Sequence, residues 1–216
     1  MEDQDGMCNA LRVRWTIIPK IAPQPWIVCG GCGGPRAFQS SPKIRLNANG
    51  RKLDAWLIYK CVTCDKTWNR PIFERMNVRD ISPAVLEALQ SNDPDWIKTE
   101  TFNLEALRRK SRRIDEFAEC EVRKLLLFEA PEWKRLEIEL AVPFPTSTRL
   151  ERLLASELAV SRSRLRAMHD GALLRTSTDR SEILRQRIRN GIRITLDLSS
   201  MPDRELVWKP RVVGGA

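Results

Sequence analysis

The chain has 216 residues, 42% hydrophobic and 30% charged, and its 37 Lys and Arg against 28 Asp and Glu leave a net charge of +9. That content suits one large or two to three small soluble domains. No run of about 18 apolar residues occurs and the first residues are acidic, which excludes a secretory signal of the usual kind and any membrane-spanning helix and points to a cytoplasmic protein with no membrane partner.

In chain order, Met7 is a second candidate start, because the residues before it carry no apolar pattern. Leu11 to Lys20 alternates, with Leu11, Val13, Trp15 and Ile17 on one face, and predicts a strand that ends at Pro19 and covers the module after it. Pro23 and Pro25 then lead through Trp26-Ile27-Val28 into Cys29-Gly-Gly-Cys32, matched later by Cys61-Val-Thr-Cys64. Two such pairs supply the four soft ligands of a tetrahedral thiolate site, so Cys29, Cys32, Cys61 and Cys64 are read as holding structural zinc. A redox dithiol and a pair of disulfides are the alternatives.

The 28 residues between the pairs must fold back on themselves. Lys43–Asn47 and Lys52–Lys60 read as strands joined at Asn49-Gly50, the dipeptide that best suits a type I′ turn, and knuckle, hairpin and knuckle together make a zinc ribbon. Four thiolates leave no open position for water, which argues against catalytic zinc. Thr67–Met76 is a further strand that Pro71 confines to an edge or a strand start. Trp56, Tyr59 and Trp68 are assigned to the core of this module in preference to stacking on bases.

Ser82 caps a short helix with Pro83 at its first position and Val85, Leu86 and Leu89 on one face, ended by Asn92-Asp93-Pro94. Asn103 caps a second, which runs through Leu104 and Leu107 into the basic stretch Arg108–Arg113, read as a solvated helix face and carboxyl end rather than a nucleic-acid contact. Ile114 to Phe128 does not choose between helix and strand, whereas Arg135–Val142 alternates as a strand and pairs with what precedes it through a turn near Pro131-Glu132-Trp133. Pro143 to Thr148 breaks both periods and marks a domain boundary.

Thr148 with Glu151 reads as a capping box opening a helix with Leu150, Leu153, Leu154 and Leu158 on its apolar face. Ser161 caps a second helix that turns Leu165 and Met168 inward and stops at Asp170-Gly171. Leu173-Leu174-Arg175 resumes as a strand, and Arg187-Ile188-Arg189, Asn190-Gly191 and Ile192–Leu196 read as a closing hairpin. The basic excess sits in two places: residues 29–70 hold eight Lys and Arg against two acids, and residues 149–196 hold eleven against five, all eleven being Arg. The intervening residues 71–148 are acidic, twelve against fifteen.

Arg149-Leu150-Glu151, Ser161-Arg162, Gly171 and Gly191 resemble the S4 RNA-binding domain. The resemblance implies that its two helices present Arg149, Arg152, Arg162, Arg164 and Arg166 to structured RNA, ribosomal or transfer RNA among the candidates, and Arg187, Arg189 and Arg193 of the closing hairpin are added as candidate RNA contacts. The sequence departs from that pattern at Thr176–Arg180, where the family has an Asn-Gly turn, and at Ile192, where an acidic residue is common. Over most of its length the chain also resembles a bacterial family, domain of unknown function 1062, through Leu46-Asn-Ala-Asn-Gly50, Leu53 to Cys61 and Thr67-Trp68-Asn69.

The expected architecture is therefore α+β: a four-cysteine zinc ribbon over 1–76, a mixed helical and strand segment over 77–142, an S4-like module over 149–198 and a tail over 199–216. The expected function is noncatalytic RNA binding, with the ribbon as a second basic contact. The alternative is a ribbon that docks on a protein partner of the transcription or translation machinery. No phosphate-cradling loop, nucleophile motif or acid–base set supports an enzyme; His169 reads as a polar residue at a helix end, and Cys8 and Cys120 as inert thiols of a reducing compartment.

Overall fold

The computed structural model describes residues 9–177 and 182–214. Its strands are β1 (Ala10–Pro19), β2 (Gln24–Cys29), β3 (Gly34–Asn49), β4 (Lys52–Cys61), β5 (Thr67–Asn77), β6 (Ile114–Asp115), β7 (Cys120–Glu129), β8 (Arg135–Ala141), β9 (Leu174–Thr176) and β10 (Arg193–Asp197). Its α-helices are α1 (Pro83–Ser91), α2 (Pro94–Thr101), α3 (Leu104–Arg108), α4 (Leu150–Glu157), α5 (Arg162–Asp170) and α6 (Lys209–Val213). Met7, Cys8 and the sequence around Thr178–Arg180 lie outside the described residues.

The elements are mixed α and β, in two compact units: residues 21–117, and the residues before and after them. This division replaces the expected boundaries at 76, 142 and 149, because β1 is not a cover for the cysteine module. It is a central strand of the other unit, whose sheet runs β7-β1-β8-β10-β9. β1 pairs antiparallel with β7 and parallel with β8, so it stands between the two strands expected to form a hairpin around Pro131–Trp133. Its alternation is what qualifies it for the centre: Leu11, Val13, Trp15 and Ile17 are all fully buried. Where β1 leaves this sheet the chain meets itself again, for Pro19 faces Cys120 and the Lys20 amide donates to Glu119 O at 3.0 Å.

α4 and α5 cover the buried face of that sheet with Leu150, Leu153, Leu154, Leu158, Leu165 and Met168. β10 is held between β8 and β9, and residues 187–189 form no hairpin with it. They lie instead beside the start of α4: Leu150 N–H donates to Gln186 O (3.0 Å) and Ile188 N–H to Thr148 O (3.0 Å). The expected capping box is also absent. Thr148 Oγ1 donates to Ala118 O (2.7 Å), Glu151 is taken by Arg166 (2.8 Å), and the N-cap position of α4 is Arg149, which makes no side-chain cap bond. Residues 199–214 are more than a tail, because Trp208 and Val212 are buried and Trp15 Nε1 donates to Val212 O at 2.9 Å.

The unit of residues 21–117 is a sheet of order β5-β4-β3-β2-β6, with β5 and its Pro71 at one edge. β3 and β4 turn at Gly50-Arg51, since Asn49 pairs with Lys52. Positive φ is confined to Gly50 (+60°), the pattern of a type II′ turn displaced by one residue from the expected I′. Ser82 Oγ accepts from the Val85 amide at the start of α1, as its sequence predicts. Asn92-Asp93-Pro94 does end α1, with Asn92 in the left-handed region, but Asp93 also caps α2, accepting from Trp96 N–H at 2.7 Å. α3 stops at Arg108, so Arg109 to Arg113 leave the helix and run back to β6.

Candidate metal centre and arginine surface

Cys29 ends β2 and Cys61 ends β4. The pairings Cys29 with Gly34 and Phe38 with Cys61 bring both pairs to one end of the sheet. The two turns are built alike. Gly33 N–H donates to Cys29 O (2.9 Å) and Asp65 N–H to Cys61 O (3.0 Å), and both residues sit at positive φ, +69° and +58°. At Gly31 a Cβ would stand 3.1 Å from Cys64 Sγ, so the absence of a side chain is what lets the second turn close over the first.

The four sulfurs lie within 4.8 Å of one another, Cys29 to Cys64 at 3.4 Å and Cys32 to Cys61 at 4.0 Å. A regular tetrahedron of metal–sulfur bonds near 2.3 Å has edges of about 3.8 Å, so the donor set fits one ion held by four thiolates. All four cysteines are free of disulfides. Burial opposes ionisation of Cys29, yet the amides of Cys32 and Gly31 and the neighbouring thiols outweigh it and bring its pKa down to about 6. Hydrogen bonding to Cys64, followed by burial, holds Cys32 up at about 12. Thiols crowded in this way ionise one at the expense of another, a conflict that a bound cation removes.

Behind the sulfurs, Phe38, Leu57 and Tyr59 belong to the buried cluster, with Ile97 and Leu107, and Tyr59 and Phe38 pack on Trp68 with ring centroids 5.3 and 6.3 Å away. Burial pushes the Tyr59 hydroxyl up to about 12. Trp56 lies outside that cluster, beside Glu74 (3.3 Å) and Arg45. Arg70, 1% exposed, meets Glu100 at 2.6 Å and also donates to the Glu100 carbonyl at 3.0 Å.

All eight arginines singled out from the sequence are exposed, but they do not form one patch. Arg162 and Arg166 are one turn apart on α5, and Arg166 bonds Glu151, whose carboxyl is held below its ordinary value mainly by that bond, with Arg162 and Arg185 adding to it. Arg164, two positions from each, falls on the other flank of the helix. Arg149 and Arg187 are backbone neighbours across an isolated antiparallel bridge, Arg152 follows one turn along α4, and Arg189 precedes the Asn190-Gly191 turn. Arg193 is set apart: Ile194 and Leu196 face the helices, so Arg193 lies on the opposite sheet face, near Arg12, Glu137 and Glu139. Arg185, not anticipated from the sequence, joins Arg166 and His169 around a cleft of about 360 Å³ that Asp170 and Glu182 also line.

Among the described residues, no helix is long and apolar enough to cross a membrane. The family model described as "Protein of unknown function (DUF1062)" matches residues 46–180, more than half of the chain, taking in the second cysteine pair and leaving the first outside. No curated protein and no solved structure matches the chain.

Proposed function

We propose that this chain, which belongs to the DUF1062 family, is a noncatalytic cytoplasmic RNA-binding protein whose cysteine module is a zinc ribbon. Zinc is the ion that four thiolates at this spacing suit best, and it supplies a closed structural staple with no open position for a substrate. Cys29, Cys32, Cys61 and Cys64 would hold it. The remaining residues of that unit give the staple its frame, since the turns leave β2 and β4 of one sheet with β3 between them.

The observation that carries RNA binding is the set of exposed arginines on and beside α4 and α5: Arg149, Arg152, Arg162, Arg164 and Arg166, with Arg187 and Arg189 next to the start of α4. A planar guanidinium donates two hydrogen bonds to a phosphate and stacks on an unpaired base, chemistry suited to the backbone and loops of structured RNA. The helix pair α4 and α5 followed by the short strand β9 has the order of the first half of an S4-like module, although β9 and β10 belong to a larger sheet and residues 187–189 form no hairpin with β10. Arg193, on the far face, is left out of the proposed surface.

The test is affinity for structured RNA, transfer RNA and a ribosomal RNA hairpin, measured across a salt series. Replacing Arg162, Arg164 and Arg166 together by Ala is expected to weaken binding about tenfold or more and to flatten the salt dependence by two to three phosphate contacts, on the order of one per lost cation. Unchanged affinity and slope overturn the assignment.

A further inference from the structure

The 21–117 unit carries a second surface, at the edge of its sheet opposite β5. β6 covers only Gln24 and Pro25 of β2. Beyond them the Trp26 amide donates to Arg113 O at 2.9 Å, and the buried Ser111 hydroxyl fastens the loop there. Ser111 Oγ accepts from Trp26 N–H (3.2 Å) and lies 3.0 and 2.6 Å from the carbonyl oxygens of Trp26 and Arg113, its single proton serving one at a time. The loop then diverges from β2.

Backbone groups two residues apart on a strand point to the same side. Since Trp26 turns its N–H toward the loop, Val28 turns its N–H and C=O to that side too, where no strand continues. Val28 is 72% exposed. An open cleft of about 580 Å³ lies there, floored by Ile27, Val28 and Pro35 and walled by Lys110 to Arg113.

The wall is unequal in charge. The guanidinium carbon of Arg113 stands over the Trp26 ring, 3.7 Å from its centroid, and the side chain shares Asp115 with the indole N–H, so its charge is neutralised in place. Arg108 meets Glu116 at 3.9 Å and Arg109 meets Glu105. Lys110 and Arg112 have no side-chain partner among the described residues. An apolar floor, two uncommitted cations and one free main-chain donor and acceptor thus converge on a single cleft.

We propose that this cleft binds an extended acidic peptide segment of a partner protein, laid along the free edge of β2 at Val28 with its carboxylates on Lys110 and Arg112. Charge complementarity selects an anion. The sheet edge selects a polypeptide over a nucleic acid, because only a peptide backbone presents a donor and an acceptor at strand spacing. This inference is independent of the RNA reading, for it uses none of the arginines of α4 and α5.

The experiment titrates the full chain with a fluorescein-labelled ten-residue peptide alternating Glu and Val, with the same peptide carrying Lys in place of Glu, and with a ten-nucleotide polyuridine. The acidic peptide is expected to bind saturably and the basic one not at all. Lys110→Glu with Arg112→Glu should lower affinity about tenfold or more, while Arg162→Ala, Arg164→Ala and Arg166→Ala together leave it unchanged. In nitrogen-15 spectra of the unmutated protein, the Val28 amide should shift and gain protection from exchange on peptide addition. Failure of the acidic peptide to bind overturns the proposal, as does a Val28 amide that does not respond. Polyuridine that binds more tightly and is lost in the Lys110 and Arg112 variant reassigns the cleft to nucleic acid.

Discussion

One unit of this protein is built around a large apolar core and the other around four clustered cysteines. The sheet that contains β1 shares a contiguous cluster of twenty-five buried apolar residues with its helices and its last turns, whereas the cluster around the cysteines numbers seven, two of them Cys29 and Cys61. At about 25 cal/mol for each Å² of apolar surface removed from water, the first has a core of the ordinary kind. The second places two cysteines in its own interior, where a bound cation would relieve the competition of four crowded thiols to ionise.

The sharpest way to break this contrast is to remove the metal. Structural zinc contributes roughly 10–16 kcal/mol of apparent binding energy in small domains, more than a typical domain's net stability. Chelation, or Cys61→Ser, is expected to unfold residues 21–117 while amide protection over β1, β8 and β10 persists. Exchange mapping together with a colorimetric zinc assay reading one equivalent for each chain checks both halves. Secondary structure and melting unchanged after chelation would falsify the structural-metal reading.

The reciprocal change is Trp133→Ala. Trp133 is fully buried in the larger cluster, and truncating a buried Trp costs about 3–5 kcal/mol. Melting followed by calorimetry should show that unit's transition lowered by many degrees and the zinc content intact. Loss of zinc in this variant would mean that the two units do not fold independently.

Smaller changes sharpen the picture of the two turns. Gly33→Ala places a side chain at φ +69° and is expected to cost about 1–2 kcal/mol, whereas Asp65→Gly, at the equivalent position, should gain no more than about 1 kcal/mol. Opposite signs in chemical denaturation show that the turns are equivalent; equal signs refute it.

The smallest effect concerns pH. Arg166 lowers the carboxyl of Glu151 below its ordinary value in the folded state, so the unfolded chain binds the proton more readily. The stabilisation is complete above the ordinary value and is lost as pH falls through the lowered folded one. It amounts to about 1 kcal/mol at most, since the arginine of the pair is half exposed to water. Glu151→Gln should flatten this acid limb of the stability profile in the arginine-bearing unit only.

What could be read directly from the residues was whatever depends on near neighbours. The paired cysteines, the strands on either side of Gly50 and the caps at Ser82, Asn103 and Ser161 all follow from short patterns, and each is present. Missing was the identity of distant partners. Alternation in Leu11–Ile17 states that one face is buried but not against what, and β1 proved to pair with strands more than a hundred residues away. Thr148 and Glu151 have the spacing of a capping box, yet Ala118 and Arg166 take the two groups that would have made it. Asn92-Asp93-Pro94 carries two signals, a stop for α1 and, in Asp93 before Pro94, a start for α2, and the stop alone does not reveal the second helix. The arginines were located correctly as exposed, but strand parity in β10 alone decides that Arg193 faces away from the rest.

The meeting of Lys20 with Glu119 bears on the order in which the chain is made. β1 is synthesised long before β7 and β8, and its pairing with them must close a loop of about 100 residues if 21–117 is still unfolded. Once that segment has folded, the bridging by Gln24 and Asp115 brings its ends together and the effective loop shrinks to a handful of residues. By the logarithmic law of loop closure this saves roughly 2–3 kcal/mol of chain entropy. Capture of a zinc ion by the first hundred residues off the ribosome would thus set the pace at which the metal-free sheet can close around β1.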